Sequence, residues 1–159
     1  MRRFLDLIKK LLWIEDTPER TAMGFSIGVF LGFSPFLGLH TLAGLAVAFI
    51  LKLNRVAVLL GVWTNTPWWL VPYYGIATWL GTKLVGYQMS KRAILRVFRH
   101  GMEHGFITKG FWEQLISHTG LLLSFCIGSF LLSLFLGVIA YPLSLKWIKF
   151  YRSRRQQDI

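Results

Sequence analysis

The chain has 159 residues, 54% of them hydrophobic, and a formal net charge of +11. Its seven acids lie at Asp6, Glu15, Asp16, Glu19, Glu103, Glu113 and Asp158, and the 18 basic residues leave three charge-free runs of 31, 27 and 32 residues: Thr21 to Leu51, Val56 to Thr82, and Gln114 to Leu145. Runs of this length predict membrane segments, because an ion in hydrocarbon costs several kcal/mol, and they exclude an ordinary soluble enzyme.

The basic residues fall in four groups that flank the apolar runs: Arg2 to Arg20, Lys52 with Arg55, Lys83 to Lys109, and Lys146 to Arg155. Such flanks suit cytoplasmic loops and anionic headgroups rather than a nucleic acid. The single cysteine, Cys126, sits inside the third run and reads as a small apolar packing residue.

Taken in chain order, residues 1–15 predict an amphipathic interfacial helix. Phe4, Leu5, Ile8, Leu11, Leu12 and Ile14 recur at helical spacing opposite Arg2, Arg3, Asp6, Lys9 and Lys10. The string Asp16-Thr17-Pro18-Glu19 then supplies a cap, an early proline and an acid for the start of a new helix. A membrane domain is expected over 16–151, with broken segments at 21–51 and 56–86, an interfacial segment at 87–113 and a transmembrane segment at 114–145. A basic tail occupies 146–159.

As one helix the first run would be about 46 Å long, against a hydrocarbon core of about 30 Å. Both early runs contain a breaker. In the first it is Gly32-Phe33-Ser34-Pro35-Phe36-Leu37-Gly38; in the second it is Thr64-Asn65-Thr66-Pro67, with Pro72 beyond. Proline removes a donor and disfavours helix at the preceding residue. Ser34-Pro35-Phe36 and Thr66-Pro67-Trp68 match at an offset of 32 residues, a weak internal repeat of helix, break, helix. Repeated broken helices point to a binding site, since unwound backbone survives at depth only against protein, ligand or water.

The short basic loop Lys52-Leu53-Asn54-Arg55 favours a layout in which each of the first two runs is a hairpin. The third run reads as one span ending near Pro142. Parity then leaves the basic tail on the far side, against the positive-inside rule, unless a third hairpin turns near Cys126 to Ser129. The segment from Lys91 to Arg99 predicts a short interfacial helix, and Gly101, Gly105 and Gly110 predict a loop or broken helix after it.

The string from Gly28 to Thr41, Gly-Val-Phe-Leu-Gly-Phe-Ser-Pro-Phe-Leu-Gly-Leu-His-Thr, together with Leu53-Asn54-Arg55 beyond it, resembles the core of a family of small bacterial inner-membrane proteins. That family is known as a domain of unknown function, and its second element is an Asn-Pro box. The resemblance spans roughly residues 17 to 150 and implies a membrane location but no activity. Here a threonine intervenes in Asn65-Thr66-Pro67.

His40 is the ionisable group inside the first run, five residues after Pro35 and beside Thr41. Backbone N–H groups freed at the break, with His40 and Thr41, predict a site for an anion or a proton. Ser34, Pro35, Arg55, Asn65, Thr66 and Pro67 would complete it if the two breaks meet. The alternative is a histidine bonded to a carbonyl that locks two helices. His100-Gly101-Met102-Glu103-His104 matches the H-x-x-E-H spelling of inverted zinc peptidases, but its glycines and polar setting favour a chance match. No metal, cofactor or catalytic set is expected.

The chain is therefore expected to be an all-α, multi-pass integral protein of the bacterial inner membrane. Two proline-broken, re-entrant or kinked helical hairpins, one further transmembrane segment and interfacial amphipathic helices would compose it. Its expected role is to bind, and as a carrier to translocate, a lipid or small anionic solute. Membrane lipids, anionic headgroups and further copies of itself are its expected partners. The alternative is a non-catalytic scaffold or accessory subunit for envelope lipid or polysaccharide assembly. It would meet a partner protein through glycines 24, 28, 32, 38 and 44.

Overall fold

The computed structural model describes residues 16–36, 38–88, 90–105, 108–116 and 119–156. The helix expected over 1–15 lies outside them. The described residues form an all-helical fold of seven helices: α1 (Pro18–Phe33), α2 (His40–Ile50), α3 (Arg55–Val62), α4 (Pro67–Val85), α5 (Lys91–His104), α6 (Lys109–Ile116) and α7 (Thr119–Gln156).

Local chemistry explains most boundaries. The Thr17 hydroxyl accepts from Arg20 N at 3.3 Å and Pro18 occupies the first turn, which starts α1. Pro35 ends it after Ser34. Asn54 opens α3 by accepting from Val56 N and Ala57 N, each at 3.1 Å. Gly86 closes α4 in the left-handed region at φ 74°, where an L side chain is disfavoured.

A glycine seam then joins α1 to α3. A Cβ on Gly28 would run into Val58 O, and one on Gly61 into Phe25 O. Gly24 and Gly32 continue the seam against Asn54 O and Val62 O. Helices meeting without side chains between them gain close backbone packing, which lipid does not provide. α2 lies against the same pair, with Gly44 on Val62.

α7 is the spine of the molecule. Its first half packs on α4, where Gly81 meets Ser124 and Gly128 meets Ala77. Its second half packs on α1, where Ser26 Oγ donates to Gly137 O at 2.6 Å. The core of the first half is aromatic: Tyr73, Tyr74, Phe98, Phe111 and Phe125 are buried together, with centroid spacings of 4.9 to 6.0 Å between neighbouring rings.

Three contacts gather the charged ends. Arg20 Nη2 donates to Lys52 O at 2.7 Å, Lys149 Nζ lies 2.7 Å from Glu19 Oε1, and Arg152 Nη2 donates to Asp16 O at 3.0 Å. Lys149 holds the Glu19 carboxyl below its ordinary value, mainly by hydrogen bonding. The start of α1, the α2–α3 turn and the end of α7 thus share one end of the fold.

This geometry corrects the expected layout. The first run does form a hairpin, because α2 brings the chain back to the start of α1. The second does not: α3 and α4 make no substantial packing with each other, and α4 instead runs on along α7. No third hairpin forms, because α7 continues unbroken through Cys126 to Ser129 and through Pro142. Residues 146–156 of the tail are the end of that helix. Similarly, α5 runs through Gly101 to His104 and packs Ile94 and Phe98 into the aromatic core.

Among the described residues, α7 is the one helix long and apolar enough to cross a membrane. Only a third of its apolar window is buried, unlike the core helix of a soluble protein.

The seam predicts a sharp asymmetry among glycine substitutions. Gly28→Leu should cost about 3 kcal/mol in detergent unfolding, because Val58 O cannot move aside. Gly110→Ala, with open space around its Cβ position, should be neutral or stabilise by up to about 1 kcal/mol.

Candidate functional site

The two breaks meet. Asn65, in the turn after α3, donates from Nδ2 to Gly32 O at 2.7 Å. Tyr74, on the second turn of α4, donates from its hydroxyl to Ser34 O at 2.8 Å, and the Asn65 amide lies beside that hydroxyl. Two carbonyls that the end of α1 would leave unpaired are therefore satisfied, one from the second break and one from the helix that follows it. Each matters because an unpaired buried carbonyl costs about 1–3 kcal/mol.

The side chains at the breaks divide by role. Ser34 is fully buried, and both its N–H (3.3 Å) and its hydroxyl (2.7 Å) bond Leu31 O, so it caps α1. Pro35 comes next and turns the chain, with Gly38 at φ 82° completing the reversal. His40 and Thr41 begin α2, one turn before the Gly44 contact with Val62, which places them at the same end as the breaks. His40 Nδ1 is buried beside the Phe36 carbonyl and makes no hydrogen bond of good geometry.

Neither half-helix that leaves the breaks is capped by a side chain. α2 begins at Leu39, which has no capping oxygen, and α4 begins at Thr66, whose exposed hydroxyl makes no cap bond. Pro67 occupies the first turn of α4. Two helix N-termini without a side-chain cap, and with positive dipole ends, therefore lie at the end of the fold that holds His40, Asn65 and Thr66. The Asn65 Oδ1 atom there is buried without a partner.

Of the residues picked out from sequence, Ser34, Pro35, His40, Thr41, Asn65, Thr66 and Pro67 come to this one end. Arg55 does not. It starts α3 at the opposite end, with its guanidinium 4.0 Å from the Phe49 ring centroid. Sequence reasoning missed Tyr74. Its signal was present only as one aromatic in a run rich in them, and no spacing rule ties it to Ser34.

The H-x-x-E-H residues lie elsewhere, on α5. The His100 and His104 rings are 4.2 Å apart, and His104 Nδ1 lies 3.2 Å from His100 O. Among the described residues no group of three or more metal-ligating side chains forms.

Among the described residues, an all-helical fold with one long apolar helix and a break-to-break contact is the class defined by this geometry. Within that class, the chain belongs to the bacterial family described as Uncharacterized protein conserved in bacteria (DUF2062), which matches residues 1–157. Comparison with curated proteins and with solved structures finds no match.

If the break contact is a lock, its parts should act together. Asn65→Ala and Tyr74→Phe should each cost about 1 kcal/mol in detergent unfolding, and the double variant should cost less than their sum. Arg55→Ala, at the far end, should change stability by only about 0.5 kcal/mol.

Proposed function

We propose that this is a multi-pass protein of the bacterial inner membrane that binds, and as a carrier translocates, a lipid or small anionic solute at the junction of its two breaks. The observation that carries the reading is the pairing of Asn65 with Gly32 O and Tyr74 with Ser34 O, beside two uncapped helix N-termini. Half-helix N-termini directed at one place are how many membrane carriers hold anionic groups.

Side-chain chemistry supports a placement in the membrane. Arg92, Arg96 and Arg99 are exposed on α5, which packs along α4 through Leu95 on Gly75 and Phe98 on Tyr74. An exposed guanidinium in hydrocarbon costs at least about 2.5 kcal/mol, so that half of the fold stands outside the apolar slab. The slab then covers α1, α2, α3 and the second half of α7. Trp63, Trp68 and Trp69 are exposed at the break end, Trp68 by 88%, and Trp147 is exposed by 62% near the charged end. These form the two aromatic rims of the slab. From Phe130 to Lys149, α7 rises about 29 Å, close to the hydrocarbon thickness.

In this arrangement α1 and α2 enter and return, α3 passes to the break-side rim, and α7 returns to the charged end. Both flanks of the membrane portion then lie on one side with the basic residues of the α2–α3 turn, in accord with the positive-inside rule. A scaffold reading gains no support from the glycines, since 24, 28, 32 and 44 pack within the chain.

Two measurements test this. In a Cys126→Ser background, Lys52→Cys and Arg154→Cys should label from the same side of the membrane and Gln88→Cys from the other. Labelling of all three from one side would sink the topology. His40→Ala and Thr66→Ala should insert normally yet lower lipid or anion uptake into vesicles by about tenfold. Unchanged uptake in both would reject the break site.

A further inference from the structure

A second feature runs from the charged end up to the breaks. α1, α3 and α7 border an elongated groove of about 510 Å³, which neither His40 nor Asn65 lines. Along α1 it runs from Thr21 to Phe33, twelve residues of helix or about 18 Å. That length is about that of one acyl chain, which fills about half of the hydrocarbon thickness.

Its walls are apolar in effect. The hydroxyls of Thr21, Thr64 and Ser144, though they border it, are bonded back to Thr17 O, Gly61 O and Tyr141 O. Asn54 differs. It is only 7% exposed, its Oδ1 is committed to the cap of α3, and its Nδ2 donor is buried without a partner. Asn54 sits at the charged end of the groove, where Arg20, Lys52, Lys149 and Arg152 outnumber Asp16 and Glu19.

We infer that this groove holds one acyl chain of an anionic phospholipid. The chain lies between α1, α3 and α7, Asn54 Nδ2 donates to the ester carbonyl that joins chain to headgroup, and the headgroup meets the cationic end. The apolar walls argue for a tail. A headgroup moving along the same path would find no polar partner between Asn54 and the breaks. The excess of cations selects an anionic headgroup over a zwitterionic one. This site rests on the membrane placement proposed above but not on the break site, so its failure leaves the His40 and Thr66 uptake test standing.

Asn54→Asp is the discriminating variant. A carboxylate still caps Val56 N and Ala57 N, so α3 and the fold persist, but the donor becomes an acceptor. Ala140→Trp fills the groove from α7, and Ala46→Trp on the outward face of α2 serves as control. Delipidated full-length protein would be titrated with phosphatidylglycerol or phosphatidylcholine and monitored by native mass spectrometry. Wild type and Ala46→Trp should retain one phosphatidylglycerol per chain, about tenfold more tightly than phosphatidylcholine; Asn54→Asp should lose about tenfold in affinity, and Ala140→Trp should lose retention. Equal retention by all four proteins, or no preference between the two lipids in wild type, overturns the proposal and leaves the groove to residues 1–15 or a second copy of the chain.

Discussion

The fold depends on how the ends of broken helices find hydrogen-bond partners. Where α1 stops at Ser34, the Gly32 and Ser34 carbonyls lose their helical donors. In a low-dielectric setting water does not replace them cheaply. Asn65 and Tyr74 supply both bonds from one neighbouring stretch of chain. That solution requires the two breaks to approach within side-chain reach. The seam of Gly24, Gly28, Gly32 and Gly61 provides it, because any Cβ there would hold α1 and α3 apart. Glycines, prolines, Asn65 and Tyr74 are thus parts of one constraint. Removing the seam would also remove the geometry that lets the breaks satisfy each other.

Much of this was legible in the sequence, but unevenly. Charge-free runs and their prolines located the helices and both breaks, since a proline's lost donor acts on its own neighbours whatever the tertiary context. The offset of 32 residues between Ser34-Pro35 and Thr66-Pro67 also survives in space, as two parallel helices, α1 and α3, that end side by side. The residues around a break do not encode the direction the chain takes afterwards. α2 turns back and α4 runs on, although both come after similar tripeptides. The difference lies in distant partners: α2 packs on α3 through Gly44, whereas α4 packs on α7 through Gly81 and Gly128. Arg55 misled for a related reason. It is ten residues from Asn65 in sequence, and a helix between them places the two at opposite ends.

In the proposed placement the parity conflict posed by three runs disappears, because the runs are not treated alike. A hairpin, a segment that passes onward and a single return bring the α2–α3 turn and the end of α7 together, as the contacts of Lys149 with Glu19, Arg152 with Asp16 and Arg20 with Lys52 require. Each contact alone would contribute little, since exposed pairs are worth about 1 kcal/mol or less. Their value is in topology: three independent contacts agree on which ends are neighbours. The same reasoning moves α5 away from a flat interfacial position. Its Ile94 and Phe98 are engaged by the aromatic core, so its arginines face outward from a packed helix.

The break junction and the groove have opposite chemistry, and this bears on the two proposed ligands. The breaks gather helix N-termini, a histidine and hydroxyls, and so suit a charged group. The groove offers hydrocarbon along its length and a single unpartnered amide at one end, and so suits a chain. A lipid has both parts, but one molecule could not satisfy both places in the same pose: Asn54 and Asn65 flank opposite ends of α3, eight residues of helix or about 12 Å apart in rise alone. In the proposed reading, a tail anchored at Asn54 therefore leaves the break junction to a different ligand. In the proposed reading, α1 and α3 link the two places directly, since both border the groove and end at the breaks. Their glycine seam packs backbone against backbone, so the two helices form one unit beside α7.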